Sequence, residues 1–270
     1  MKFSCDKYVL QQAAASAARA AAAKSPIPTL EGLLIEAGAS VRITGYDLKK
    51  AIYTTIDADI PEPGSVLIGA RLFCEMLRRM PDGIVTVEAE NGTVSVKCGK
   101  AAFNLVGLSA DDYPDLPVVE AENGVSLPQD LLKKMINECS FAVSTNESRP
   151  VYMGTLFEIE NNVLTMVSVD GYRLALRREA VEGYGDDCSF IVPGTALSDL
   201  ERLCGDSDER VVLSVGSKHI SFTVGNTVIL SRRLEGDFLN YKKAIPESFR
   251  VTVKTARTDL LEVVERVSLI

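Results

Sequence analysis

An apolar pattern at i, i+1, i+4, i+5 and i+8 recurs along this chain, and it constrains the fold more than any other feature. Leu72, Phe73, Met76, Leu77 and Met80 carry it, and Leu131, Leu132, Met135, Ile136 and Cys139 carry it again. Val9, Leu10, Ala13, Ala14 and Ala17 repeat it with small side chains that permit close packing. Each set gives one buried stripe on an α-helix. Short strands flank these helices, so the chain reads as a tandem repeat of about 124 residues: strand, helix, strands, second helix, strands. That order predicts an α+β fold of repeated domains, each with two helices packed on antiparallel sheets.

The first copy runs from Met1 to about Pro117. After its opening strand, QQAAASAARAAAAK (11–24) has strong helical propensity, and Pro26 and Pro28 forbid its continuation. LEGLLIEA and SVRITGY read as strands. VTVEAE and TVSVKCG alternate around Asn91-Gly92, a two-residue hairpin turn. The second copy runs from about Val125 to Pro246. Strand VSL leads through Pro128 to the helix QDLLKKMINECS, and TLFEIE and VLTMVSV flank Asn161-Asn162. VVLSV, HISFTV and TVILSRRL follow, with turns at Gly216-Ser217 and Gly225-Asn226. Gly45-Tyr46-Asp47-Leu48 falls on Gly171-Tyr172-Arg173-Leu174 at an offset of 126. PVVEAENG (117–124) and PESFR (246–250) read as linkers, giving domains at 1–120, 121–247 and 248–270. The third opens with VTVKTARTDLLEVVERVSLI, where Leu260, Leu261, Val264 and Val267 restart the stripe. A helix with neither C-cap nor following sheet is an unnatural domain ending, which reads as truncation.

A net charge of −8 argues against a uniformly basic nucleic-acid binder, but not against basic residues collected on one face. No apolar run reaches the roughly 18–20 residues that span a bilayer, and the N-terminus lacks a signal peptide's apolar block, so the expected compartment is the cytoplasm. The six cysteines are scattered without a CxxC pair and read as small buried hydrophobes. With His219 the single histidine, on the polar side of a strand, neither a zinc site nor a histidine relay has material. Asp111-Asp112, Asp186-Asp187 and Asp206-Ser207-Asp208-Glu209 are acidic enough to suggest a metal-dependent nuclease or phosphatase. They fall in turn-like loops and do not repeat as a constellation. No phosphate-binding or nucleophile-elbow motif is present, so no catalytic residue, metal or cofactor is expected. A generic repeat-domain interaction protein is the other alternative.

The ordered segments MKFSCDKYVL, IPTLEGLLIEA (27–37), ITGYDL (43–48), ARLFCEMLRRMPDG (70–83), DDYPDLP (111–117), SRPVYMGTLFEIE (148–160), VSVDGYRLAL (167–176) and EGDFLNYKKAIP (235–246) resemble the bacterial DNA polymerase III beta subunits, the sliding clamps. The resemblance covers essentially the whole chain. It implies a non-catalytic processivity factor: three such domains per subunit, two subunits joined head to tail as a ring around duplex DNA, and helices on the inner wall. A sliding ring must neutralise phosphates without reading bases. Lys24, Arg71, Arg78, Lys133, Lys134, Asn146 and Arg202 are the DNA-facing positions the resemblance implies. Peptides from the replicative polymerase, the clamp loader and other clamp-binding proteins would enter a groove at Tyr152, Val169, Gly171, Tyr172, Arg173, Leu174, Leu239, Lys243 and Ala244. Tyr152 stands where leucine is common in the family, and Leu239 where proline is usual. Met76, Phe103 and Leu105 match the first-domain side of the subunit junction of the homodimer. Without the rest of a third domain, the chain is not expected to close a ring by itself.

Overall fold

The computed structural model describes residues 1–120 and 123–269, with the side chain of Tyr184 outside the description. The expected boundary at residue 121 and part of the 117–124 linker therefore lie outside the described residues. The chain divides into two units, Met1–Phe238 and Leu239–Ile270.

The first copy, and the second as far as Phe238, occupy the first unit. The first comprises β1 (Lys2–Asp6), α1 (Lys7–Ala18), β2 (Gly32–Ala37), β3 (Val41–Tyr46), β4 (Lys50–Ile56), β5 (Asp59–Glu62), β6 (Gly64–Gly69), α2 (Ala70–Arg79), β7 (Ile84–Glu90), β8 (Thr93–Cys98) and β9 (Ala101–Leu108). The second follows the same order: β10 (Asn123–Pro128), α3 (Gln129–Ser140), β11 (Gly154–Glu160), β12 (Val163–Val169), β13 (Leu174–Ala180), β14 (Glu182–Tyr184), β15 (Cys188–Pro193), α4 (Gly194–Leu203), β16 (Arg210–Val215), β17 (His219–Val224) and β18 (Thr227–Arg232). Even the 3-10 turns before β2 and β11, Pro28–Glu31 and Pro150–Met153, correspond. The hairpin turns form as their sequences demand: Asn91 and Gly92 take φ of 50° and 74°, and Asn161 and Asn162 take 52° and 60°.

The strands form an antiparallel fourteen-stranded sheet, β14-β10-β16-β17-β18-β4-β3-β2-β6-β9-β8-β7-β1-β5, and a four-stranded sheet, β13-β12-β11-β15. The copies meet where β18 lies against β4, with Thr227 opposite Thr54 and Ser231 opposite Lys50. The buried hydroxyls of Thr54 and Thr227 bond at 2.9 Å across this seam. Ala20 and Ile52 of the first copy join the core of the second, so one hydrophobic interior spans the junction. On each copy two helices pack side by side, α1 on α2 and α3 on α4.

The repeated stripe needs one correction. Phe73, Met76, Leu77 and Met80 are buried, but Leu72 is 61% exposed. Its counterpart Val9 is exposed and Leu131 is half-buried. At about 100° per residue, the first position of the pattern lies at the edge of the buried arc. The first helix also differs from the sequence expectation of 11–24, forming at Lys7–Ala18. Its start is set by the Asp6 carboxylate, which accepts from the N–H groups of Tyr8 at 2.8 Å and Val9 at 3.3 Å. Its end is set by tertiary contacts. The Ala22 N–H donates to the Leu30 carbonyl at 2.9 Å, Ala20 enters the second core, and Arg19 turns to Asp199.

In the second unit, α5 (Tyr241–Ala244) and α6 (Arg257–Val267) form. Residues 251–254, expected to open the third copy as a strand, are not a strand. A strand needs a neighbour for its backbone N–H and C=O groups, and none pairs here among the described residues. Leu260, Leu261, Val264 and Val267 are all exposed.

Candidate nucleic-acid face and partner cleft

The basic residues singled out, Lys24 in the loop after α1 and the others on α2, α3 and α4, are of two electrostatic kinds. Lys24, Arg71, Lys134 and Arg202 are exposed and make no ion pair among the described residues. Arg78 is exposed too, but it bonds Glu75 at 2.8 Å, and Arg79 reaches the same carboxylate at 3.3 Å. Lys133 donates to Asp206 at 2.7 Å, a bond that raises its pKa above the ordinary lysine value. The helix-face charge is therefore dispersed: Arg71, Lys134 and Arg202 are unpaired among the described residues, beside the paired Arg78, Arg79 and Lys133.

The acidic loops have structural partners. Asp111 accepts from the Ser109 hydroxyl at 2.9 Å, and Asp187 from the Asn161 N–H at 3.0 Å. Glu209 accepts from the Gln129 amide at 3.1 Å. Among the described residues no group of three or more His, Cys, Asp or Glu could hold a metal ion.

A cleft of 440 Å³ opens at the start of the second copy's four-stranded sheet, lined by Ser144, Asn146, Arg149, Tyr152, Gly171 and Tyr172 among others. Asp170 builds one wall. Its carboxylate accepts from the N–H groups of Tyr172 at 3.0 Å and Arg173 at 3.1 Å, and from the Arg173 guanidinium at 2.7 Å. The Tyr172 N–H and the Arg173 guanidinium, in that order, hold Asp170 below its ordinary pKa. Gly171 supplies a φ of +96°, and the turn leaves Tyr172 100% exposed. The opposite wall is the 144–152 segment, where the Ser144 N–H donates to the Tyr152 carbonyl at 2.8 Å. The Tyr152 ring meets Phe238 edge to face at 5.5 Å.

Of the expected groove residues, Tyr152, Gly171 and Tyr172 line this cleft, Arg173 braces it, and Val169 is buried at the end of β12. Leu174 opens β13, half-buried. Leu239, Lys243 and Ala244 belong to the second unit, the latter two in α5. Asn146, assigned to DNA by resemblance, lies on the cleft wall. Sequence reasoning missed Arg149, Asp170 and Phe238. The only sign of Asp170 was its place before a Gly-aromatic turn.

A second, apolar cleft of 300 Å³ lies beside β9, lined by Ile68, Gly69, Leu72, Leu105, Val106 and Leu108. Leu105 lines it and Phe103 is exposed on the same strand, whereas Met76 is buried in the first core. Val106 and Leu108 went unnoticed because exposed apolar side chains on a strand leave no periodic signal, and Leu72 had been assigned to the buried stripe.

Comparison with known proteins places this architecture. The description "DNA polymerase III beta subunit, N-terminal domain" matches residues 1–117, and "DNA polymerase III beta subunit, central domain" matches 126–240. The Beta sliding clamp of Bacillus subtilis is 32% identical over 282 residues, covering 100% of this chain and 74% of that protein. The chain belongs to the DNA polymerase III beta subunit family. A putative beta subunit from Eubacterium rectale superposes with a TM-score of 0.95 at 32% identity, again over 100% of this chain and 74% of that one. A Pseudomonas aeruginosa sliding clamp bound to griselimycin gives 0.94 at 26% identity, over 100% and 74%. As a beta subunit the chain is a sliding clamp, a processivity factor rather than an enzyme.

Proposed function

We infer that this chain forms part of a ring that encircles duplex DNA without reading its sequence and tethers the replicative polymerase by a peptide. The observation that carries the reading is the seam between copies. There β18 of the second copy pairs along β4 of the first. The corresponding strand of the first copy, β9, is paired to β8, and to β6 only through Gly107 and Leu108, which leaves the edge of 101–106 free. The counterpart of β4 in the second copy, β13, is likewise an edge strand. One head-to-tail junction is thus formed and its two halves are offered again at the ends of the arc. Such heterologous contacts close into a ring when the rotation permits.

In this reading the chain carries domains at 1–120 and 121–247 and the start of a third at 248–270. Phe103 and Leu105, with the apolar cleft beside them, meet the next subunit of a homodimer, and the buried Met76 supports that surface from below. Lys24, Arg71, Arg78, Lys133, Lys134 and Arg202 face the phosphates. Pairing of Arg78 and Lys133 with carboxylates suits a ring that must hold DNA loosely. Asn146 serves the cleft, which with Val169, Arg173 and Leu174 takes peptides of the polymerase and the clamp loader. The work is done in the cytoplasm.

The test is retention on nicked circular plasmid after incubation with clamp loader and ATP. Retention at high salt that disappears on linearisation is expected when this chain is continued through a complete third domain, and Phe103→Asp should abolish it. Equal retention on circular and linear DNA would refute encirclement.

A further inference from the structure

Asp206, Asp208 and Glu209 make the loop after α4 acidic, and the structure fastens that loop to the start of α3. The Gln129 N–H donates to the Glu209 carbonyl at 2.9 Å, and the Asp130 N–H to the Ser207 carbonyl at 3.1 Å. The Gln129 side chain spans the loop: its amide donates to the Glu209 carboxylate at 3.1 Å and its oxygen accepts from the Gly205 N–H at 2.7 Å. Gln129 is buried, so these bonds are shielded from water. The loop is thereby held with the Asp206 carboxylate on the Lys133 ammonium at 2.7 Å. Hydrogen bonding to Asp206 is the main reason that the Lys133 pKa is raised, and Glu201 of α4 adds to the same negative field.

The arrangement recurs on the first copy. Glu75 lies one turn before Arg78 and Arg79 on α2 and bonds both, at 2.8 and 3.3 Å. On each of these helices a neighbouring cation stays unpaired among the described residues, Arg71 on α2 and Lys134 on α3. Asp206 and Glu75 make no other ion pair or side-chain hydrogen bond among the described residues, so the fold itself does not call for their charge.

We propose that Asp206 and Glu75 are built-in counter-ions that compete with DNA phosphates for Lys133, Arg78 and Arg79, and so set how loosely the duplex is held. The proposal rests on the phosphate-facing reading above and adds two residues that reading does not contain. A phosphate that reaches Lys133 must displace a carboxylate at hydrogen-bond distance and then lie beside it, like charge against like charge. A cation that arrives already neutralised adds little to counter-ion release, so the unpaired cations carry most of the affinity and of its salt dependence. Exposed pairs of this kind open readily, so the hold on the duplex is weakened rather than prevented.

The test is fluorescence anisotropy of the full chain with a labelled duplex of about 30 base pairs, across potassium chloride from about 20 to 200 mM. Asp206→Asn is expected to bind about 5-fold more tightly at the low-salt end and to steepen the salt slope by about one, the share of one further phosphate contact. Glu75→Gln should gain comparably. Lys133→Ala placed on Asp206→Asn should return both quantities to the wild-type values. Glu88→Gln is the control, because it changes the net charge equally. Its partner Lys2 and the core position of the neighbouring Val87 put it on the sheet face away from the helices. A gain for either variant no larger than that of Glu88→Gln, or a gain that survives Lys133→Ala, overturns the proposal and leaves the phosphate-facing reading intact. That reading is checked separately by Lys134→Ala, which should weaken binding in every background. If it weakens none, or if no variant binds duplex at the lowest salt, the reading and the proposal fall together.

Discussion

Replacing Asp199 by alanine should weaken the junction between the two copies more than any surface substitution. Asp199 lies on α4 at 7% exposure, and its carboxylate accepts from the Arg19 Nε at 3.0 Å and from the Lys50 ammonium. Arg19 caps the end of α1 and Lys50 opens β4, so one carboxylate holds two elements of the other copy. The side chains of Lys50 and Asp199 are 12% and 10% exposed, whereas that of Arg19 is 29% exposed and better screened. Removing one partner of a buried pair costs about 3–5 kcal/mol, and the screening of Arg19 argues for the lower end, about 3 kcal/mol. In a unit of this size 1 kcal/mol moves the melting temperature by about 2–4 °C, so Asp199→Ala should melt roughly 6–12 °C lower by calorimetry.

Two controls isolate the cause. Glu88→Ala removes the half-exposed pair with Lys2, at 3.5 Å, and should cost at most about 1 kcal/mol. The triple variant Arg19→Met, Lys50→Met, Asp199→Leu should recover most of the loss, because a packed apolar cluster avoids the desolvation of charge. A loss below about 1 kcal/mol for Asp199→Ala, or a triple variant no better than the single one, would refute this account.

Other outcomes follow from the same packing. A Cβ on Gly45 would lie 2.0 Å from the Ala17 carbonyl oxygen, so Gly45→Ala should cost about 3 kcal/mol in a guanidinium titration. Gly38→Ala, with open space around it, should leave the midpoint within error. Since Asp170 is held below its ordinary pKa of 3.8, its turn should be fully formed above that value and open only as the pH falls through the lower, folded one. Loss of order of the Tyr172 amide signal above pH 4 would contradict this. Burial pushes the thiol of Cys5 up to about 12 and those of Cys74, Cys139 and Cys204 to about 11. Iodoacetamide at pH 8 should therefore label these four only after denaturation, as mass spectrometry would reveal.

Most secondary elements were legible in the chain. The helix at 129–140 follows from Pro128 and a strong stripe, and the hairpins at Asn91-Gly92 and Asn161-Asn162 follow from residues that tolerate positive φ. The cleft was legible only in outline. Resemblance pointed to Tyr152, Gly171 and Tyr172, but nothing local marked Arg149 as the cation left unpaired, because its state depends on what Asp170 and Arg173 do to each other.

The sequence by itself determined the repeat, the element order and, but for its first position, the buried stripe on α2 and α3, since periodicity and turn chemistry act over a few residues. Tertiary structure alone decided where α1 stops, which strand edges pair and which stay open, and which charges cancel. Those outcomes depend on partners far apart in the chain, as when Arg19 meets Asp199 across 180 positions and Lys50 meets it across 149. The alanine run after Arg19 has every local reason to continue as helix, yet it turns because burial and hydrogen bonds against the rest of the fold outweigh a propensity of only tenths of a kcal/mol per residue, roughly.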